Sequence, residues 1–242
     1  MPRYKIEIEY DGSEFFGWQK QRGERTVQGE LERALEEFGE GRIKVIGAGR
    51  TDTGVHALGQ AAHFDMKREM APESLMKALN VKISYDVAVK SAEVADSTFH
   101  ARYDALRRRY LYVLSKHRSA IGRRFSWLPP FDYNFALLQS LTADIVGEHD
   151  FSAFCRRKSR KESSVCTIYH AAWVENEAQC VFEIVGDRFL HSMVRFLVGT
   201  MLDIARGRFE PDALPEIIAG GDVRGAGAAA PPQGLFLAQV FY

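Results

Sequence analysis

The chain begins with a period of two. Between residues 4 and 10, lysine and glutamate alternate with Ile6 and Ile8, which predicts a strand with one buried face, ended by Asp11-Gly12. The period then lengthens. Val27, Leu31, Ala34, Leu35 and Phe38 fall on one face of a helix over 27–38, with Thr26 as its N-cap. Short apolar runs at 43–46 and 60–64 predict strands on either side of a glycine-rich loop. A second helix is predicted over 72–81 and a further strand over 86–94. The same order recurs loosely afterwards. It runs as a strand at 109–114, a helix at 135–145, a hairpin of 171–176 and 180–185 around Glu177-Ala178, a long apolar helix at 191–205, and a closing strand at 235–242.

Two successive β-α-β-β-α-β patterns predict an α+β protein of two ferredoxin-like halves, residues 1–104 and 105–242, joined into a mainly antiparallel sheet. No residue-level repeat accompanies the pattern, so the duplication rests on element order alone. Two stretches stand outside it. Residues 156–164 are polar, basic and aperiodic, which predicts an exposed loop. Residues 220–233 contain Gly-Gly, Gly-Ala-Gly, three alanines and Pro231-Pro232, which reads as a mobile connection to the last strand.

With 46% hydrophobic residues in 242, the chain has enough apolar material for real cores. It has no basic start followed by an apolar run and no stretch of roughly 18 apolar residues, so neither a signal peptide nor a membrane span is expected. Cys155, Cys166 and Cys180 leave an odd thiol and lack a C-x-x-C spacing, which favours a reducing cytoplasm over a disulfide framework. With His149 and His170 they match no common zinc spacing. Net charge is zero, which argues against a generic nucleic-acid binder, but the charge is unevenly spread. Residues 101–161 carry 13 basic and 5 acidic groups, while both flanks are acidic. The excess lies in Arg107-Arg108-Arg109, Lys116, Arg118, Arg123-Arg124 and the run from Arg156, Arg157 and Lys158 to Arg160-Lys161. Such a localised basic surface is either a solvated face or the footprint of a phosphate backbone.

Residues 47–60 are poorly explained by folding alone. There Asp52 is flanked by Arg50, by the hydroxyls of Thr51 and Thr53, and by Gly47, Gly49 and Gly54. A G-x-G-x-x-G phosphate fingerprint fails, because it needs glycine where Asp52 stands and a helix that does not follow. Asp52-Thr53-Gly54 is the tripeptide around an aspartic-protease carboxylate, but that chemistry needs a second carboxylate sharing a proton. No second Asp-Thr-Gly occurs, so a dimer would have to supply it. The third reading makes Asp52 a nucleophile or general base acting on a bound nucleobase or sugar, held by Arg50 until substrate arrives. Flipping a base out of structured nucleic acid costs a few kcal/mol. Stacking it on an aromatic ring recovers roughly 1–3 kcal/mol, and Tyr110, just after the triple arginine, is a candidate ring.

Several ordered blocks match a known family. Gly49-Arg50-Thr51-Asp52-Thr53-Gly54-Val55-His56-Ala57 resembles the signature loop of the TruA-type tRNA pseudouridine synthases. Tyr10-Asp11-Gly12, Gly17-Trp18-Gln19 and Thr26-Val27-Gln28 resemble the family's opening. Phe99-His100-Ala101-Arg102 and Arg108-Arg109-Tyr110-Leu111-Tyr112 resemble its middle. Phe189-Leu190-His191-Ser192-Met193-Val194-Arg195 and Gly234-Leu235-Phe236-Leu237 resemble its C-terminal blocks. The resemblance implies the pseudouridine synthase fold and isomerisation of uridine to pseudouridine at positions 38 to 40 of the tRNA anticodon stem-loop. It implies a homodimer and no metal or organic cofactor. Asp52 would be the catalytic aspartate, assisted by Arg50, Arg195 and Tyr110. Substrate would contact Tyr110, Leu235, Thr51, His56 and the basic Arg156, Arg157 and Lys158. Two departures are local. Ser164-Val165-Cys166-Thr167-Ile168 lacks an arginine common in the family, and Asn80-Val81-Lys82-Ile83-Ser84 replaces its usual Asn-x-x-Leu-Pro stretch.

Overall fold

The computed structural model describes residues 1–155, 163–222 and 225–242. In chain order it contains β1 (Arg3–Tyr10), α1 (Val27–Leu35), β2 (Ile46–Gly47), β3 (His56–Asp65), α2 (Pro72–Lys82), β4 (Val87–Ala95), β5 (Arg107–Ser115), α3 (Phe135–Ser140), β6 (Gly147–Asp150), β7 (Val165–Glu175), β8 (Gln179–Gly186), α4 (Met193–Ala205), α5 (Ala213–Gly220) and β9 (Leu235–Phe241). Helices and mainly antiparallel strands are thus mixed along the chain. They form two compact units, Met1–Leu106 with Phe236–Tyr242, and Arg107–Leu235. The closing strand, expected in the second half, belongs almost entirely to the first unit.

In the first unit β1 is central, paired antiparallel with both β3 and β4; β2 lies antiparallel to β3, and β9 runs parallel to it. The period of two in β1 decides what is buried: Tyr4, Ile6, Ile8 and Tyr10 share the inward face. Tyr4 keeps its hydroxyl satisfied inside by donating to the Met70 carbonyl at 2.9 Å and accepting the Met70 N–H at 2.8 Å. Where Arg3 stands opposite Asp65 in the β1–β3 register, the two side chains form a two-pronged ion pair at 2.7 and 2.8 Å. Thr26 caps α1 by accepting the Gly29 N–H, and Val27, Leu31, Ala34 and Leu35 bury the helix's apolar stripe. The α-helix stops at Leu35, short of Phe38, because the chain widens into a π turn over Glu36–Glu40.

The second unit is an antiparallel sheet ordered β5-β8-β7-β6. Tyr110, Tyr112 and Leu114 alternate inward along β5, and Trp173 of β7 packs on Phe182 of β8 with ring centroids 4.9 Å apart. Residues Leu197 to Ala205 of α4 are buried without a break, as its apolar sequence on all faces requires. The helix begins at Met193 rather than residue 191, because Ser192 is left-handed with φ 62° and cannot continue an α-helical turn.

Three expectations need correction here. The predicted helix over 135–145 is α3 followed by a separate 3₁₀ turn at Ala143–Ile145. The hairpin strand read from 171 begins at Val165, and β6 and α5 had not been anticipated. Most important, the stretch read as a mobile connection is hydrogen-bonded to α4 and β5 between residues 227 and 231. The basic run from Arg156 to Lys161 lies outside the described residues.

Candidate active site

Asp52 sits in the loop between β2 and β3, and the backbone on either side of it is fastened to the segment Phe15–Trp18. Trp18 donates its N–H to the Thr51 carbonyl at 3.1 Å, and Gly54 donates to the Phe15 carbonyl at 3.3 Å. Within the loop, Val55 donates to the Asp52 carbonyl at 3.1 Å, closing a turn directly after the carboxylate. The other end is tied to β3: Ala48 donates to the Ala61 carbonyl at 2.7 Å, and the Gln60 side-chain amide donates to the Gly49 carbonyl at 2.9 Å. Asp52 is half-buried on this framework. A carboxylate on a backbone pinned at both ends is held in one place, which is what a preorganised reacting group requires.

The fastening needs an unusually close backbone approach, which two glycines permit. Gly17 has φ 82°, and a Cβ there would lie 2.6 Å from the Thr51 carbonyl oxygen and 3.1 Å from the Asp52 carbonyl carbon. A Cβ on Gly12 would stand 2.0 Å from the Val55 carbonyl oxygen. These positions explain, in physical terms, why the Tyr-Asp-Gly and Gly-Trp-Gln blocks accompany the loop. Residues 11–18 are its seat.

Thr51 and His56 were expected to touch substrate, and the structure buries both. The Thr51 hydroxyl is hydrogen-bonded to the Tyr10 hydroxyl at 2.8 Å in a buried contact. His56 is 1% exposed, stacks on Phe236 at 4.8 Å, and accepts the Gly12 N–H on Nδ1 at 3.0 Å. Asp11 Oδ1 lies 3.2 Å from the same nitrogen. Both side chains hold the loop and its seat. Arg50, expected to hold Asp52, has an exposed side chain.

The second unit supplies the remaining candidates. Tyr110 on β5 is 8% exposed and packs edge-to-face on Phe189 with centroids 5.0 Å apart. Leu235, the first residue of β9, is buried. Arg195 is half-buried on the first turn of α4, where its Nε–H donates to the Ala230 carbonyl at 2.7 Å. Phe189, the wall against which Tyr110 rests, was quoted in a block but given no role. The only sequence signal for it is its place two residues before His191.

Several basic side chains are engaged inside the unit. Arg108 donates to the Asp187 carbonyl at 2.6 Å, Arg109 pairs with Glu183 at 2.9 Å, and Lys116 pairs with Glu175 at 2.5 Å. Arg107 is exposed and lies over the Tyr169 ring at 4.5 Å. Arg118 and Arg123 line an open cavity of about 160 Å³ with His117, Ser119 and Gln233. Among the described residues the basic surface is therefore narrower than a count of arginines suggests. Burial pushes the thiols of Cys166 and Cys180 up to about 12, so neither is a thiolate nucleophile at neutral pH. Among the described residues no three His, Cys, Asp or Glu side chains gather as a metal site, and no helix is long and apolar enough to cross a membrane.

The ordered loop and its seat are matched across whole chains of known proteins. A family model described as tRNA pseudouridine synthase matches residues 6–104 and 142–242. The chain belongs to the tRNA pseudouridine synthase family. Its relatives include tRNA pseudouridine synthase A of Exiguobacterium sibiricum, 40% identical over 242 residues that cover 100% of this chain and 97% of that protein. The protein of the same name from Listeria innocua is 39% identical, with 100% of both chains covered. The Bacillus subtilis protein of that name is 39% identical over 99% of each chain. Membership makes this chain an enzyme of an isomerase family. The match takes in both the Asp52 loop with its seat and the α4 segment that carries Arg195.

Proposed function

We propose that the enzyme converts uridine to pseudouridine at positions 38, 39 and 40 of the tRNA anticodon stem-loop, with Asp52 as its catalytic carboxylate. The observation that carries this reading is the pinned loop: a half-buried Asp52 with its backbone bonded to Phe15 and Trp18 on one side and β3 on the other. The reaction breaks the bond between uracil N1 and the ribose C1′. Uracil rotates, C5 bonds to C1′, the C5 proton leaves and N1 gains one, so nothing is added or lost overall. Asp52 serves as the nucleophile at the sugar or as the base that removes a sugar proton.

Around it we assign Arg195 to the carboxylate and Tyr110 to stacking on the uracil, with Leu235 lining the pocket. The edge contact of Tyr110 with Phe189 supports that assignment, since it fixes the ring before a base arrives. The exposed Arg50 is assigned to RNA rather than to Asp52. Thr51 and His56 position the loop. Arg107, Arg118 and the basic run of Arg156, Arg157 and Lys158 are assigned to phosphates, which fix the register of the RNA without reading its sequence. We further read the protein as a cytoplasmic homodimer, needing no metal or organic cofactor, built from two ferredoxin-like halves. The pairing of β1 with β3 and β4, and of β2 with β3, supports that description for the first half.

The test is Asp52→Ala, assayed on an unmodified tRNA transcript. Loss of pseudouridine formation with tRNA binding kept is the expected result. Full activity in the variant would remove Asp52 from the chemistry, and no activity in the intact enzyme would favour a noncatalytic RNA-binding protein.

A further inference from the structure

Arg195 does not take its direction from α4 alone. Its Nε–H donates to the Ala230 carbonyl at 2.7 Å, and the Ala230 N–H donates back to the Arg195 carbonyl at 2.9 Å. With Nε committed, the guanidinium plane is fixed and its two Nη groups point one way. One turn further along α4, Thr200 is fully buried; its hydroxyl accepts the Gly227 N–H at 2.9 Å and donates to the Phe196 carbonyl at 2.8 Å. Between these two bonds the strand of chain passes so close to the helix that a Cβ on Gly199 would lie 1.8 Å from the Ala228 carbonyl oxygen. Beyond them the Tyr112 hydroxyl donates to the Pro231 carbonyl at 2.7 Å, and Gly234 rests on the Tyr112 ring, one residue before Leu235.

We propose that residues 227–234 form a positioning strap: their seat on α4 through Gly199 and Thr200 sets the direction of the Arg195 guanidinium and the placement of Leu235. The strap governs the chemical step rather than RNA affinity. It bonds to Arg195 through Ala230 and runs directly into Leu235, the two residues assigned to the reaction, and its first four residues are small, which lets backbone lie directly on backbone. The inference rests on the role proposed for Arg195. Thr200 and Gly227 are positioning residues, since they act through Arg195 and touch no substrate.

The experiment compares Thr200→Val, which keeps the shape and loses the hydroxyl, with Thr200→Ser, which keeps the hydroxyl. For each, kcat and KM are measured on an unmodified tRNA transcript, together with thermal melting and amide hydrogen exchange at Gly227 and Ala230. A shift of about 1 Å in a reacting group costs on the order of a hundredfold, so Thr200→Val is expected to lower kcat between about tenfold and about a hundredfold. KM should stay within about twofold, with both amides exchanging faster. Thr200→Ser should restore kcat to within about threefold. An unchanged kcat in Thr200→Val with a loosened strap overturns the proposal, as does a serine variant as slow as the valine one. If Thr200→Val does not fold, Gly227→Ala serves instead, because its Cβ would lie 2.6 Å from Asp203 Oδ2, 3.0 Å from the Thr200 Cα and 3.2 Å from the Gly199 carbonyl oxygen, so the strap must lift off α4. Arg195→Ala separates the two layers. If it leaves kcat unchanged, the role of Arg195 fails. If it is slow while a loosened strap is not, the strap alone fails.

Discussion

Replacing Gly17 by alanine tests whether the Phe15–Trp18 segment sets the position of Asp52. The residue has φ 82°, and an alanine held there costs roughly 1–2 kcal/mol of backbone strain. The Cβ would also stand 2.6 Å from the Thr51 carbonyl oxygen, where ordinary contact begins at 3.4 Å, so the loop backbone must retreat by roughly 0.8 Å. Overpacking of that kind adds about 1–3 kcal/mol, giving a loss of about 2–5 kcal/mol in all. The retreating atoms are the Thr51 carbonyl and its bond to Asp52, so the carboxylate moves with them. A displacement near 1 Å at a reacting group lowers kcat on the order of a hundredfold. Gly23→Ala is the control: its φ is 81°, and nothing lies within 4 Å of the added Cβ. It carries the same dihedral strain without the collision. Because the reaction releases the C5 proton, tritium placed at C5 of uridine reports turnover directly, and thermal melting reports stability. Gly23→Ala should lose stability and keep kcat; Gly17→Ala should lose both. Equal kcat values in the two variants would refute the argument, because strain alone would then account for everything.

Two further outcomes follow from groups in the same unit. Tyr10→Phe removes the partner of the buried Thr51 hydroxyl and should cost about 0.5–1.5 kcal/mol with a lower kcat and an unchanged KM; unaltered melting and turnover would show that the bond does not hold the loop. His63 accepts the Ala101 N–H at 3.0 Å, and burial, reinforced by the Arg3 and His100 charges, holds its ring down to about 4. The unfolded chain protonates this histidine near 6.5 and the folded chain does not until about 4. Stability that is complete above pH 6.5 is therefore lost progressively as pH falls towards 4. His63→Gln retains an acceptor without the titration, and its melting curves against pH should be flatter across that window; parallel curves would rule the mechanism out.

Period carried the sequence reading furthest where one face of an element is buried and the other is wet. β1 alternates and α1 carries a single stripe, so the strand was legible almost to the residue and the helix in its start and its buried face, though not in its end at Leu35. It failed where burial is not one-sided or where backbone does the work. Gly147–Asp150 has no apolar alternation; it joins the sheet through backbone pairing with β7. The candidate site divides in the same way. The Asp52 loop was legible because glycines, hydroxyls and an arginine crowd one carboxylate with no folding reason. The burial of His56 was not, because β3 is buried on nearly every position and offers no period to tell inward from outward, and that of Thr51 was not, because it depends on the Tyr10 hydroxyl from a distant strand. Residue type indicates what a side chain can do and leaves open what it faces.

The strap exposes the deepest limit and also suggests a remedy. Glycine, alanine and proline in succession signal a mobile linker when the chain is read alone, since such residues bury little and adopt many conformations. The same composition is what a chain needs in order to lie with its backbone directly on a helix. What separates the two cases is a second cost elsewhere. Gly199 stands inside an apolar α-helix, where it sacrifices about 1 kcal/mol relative to alanine with no turn or cap to justify it. The Ala228 carbonyl, which no Cβ could clear, is its justification. Thr200 beside it is a fully buried hydroxyl on the mainly apolar α4, and the Gly227 N–H accounts for it. An unexplained glycine and an unexplained hydroxyl side by side in a buried helix, followed about 27 residues later by a Gly-Ala run, read jointly as a groove and the chain that fills it. Neither segment carries that meaning alone, which is why the small residues of 225–230 passed for a linker.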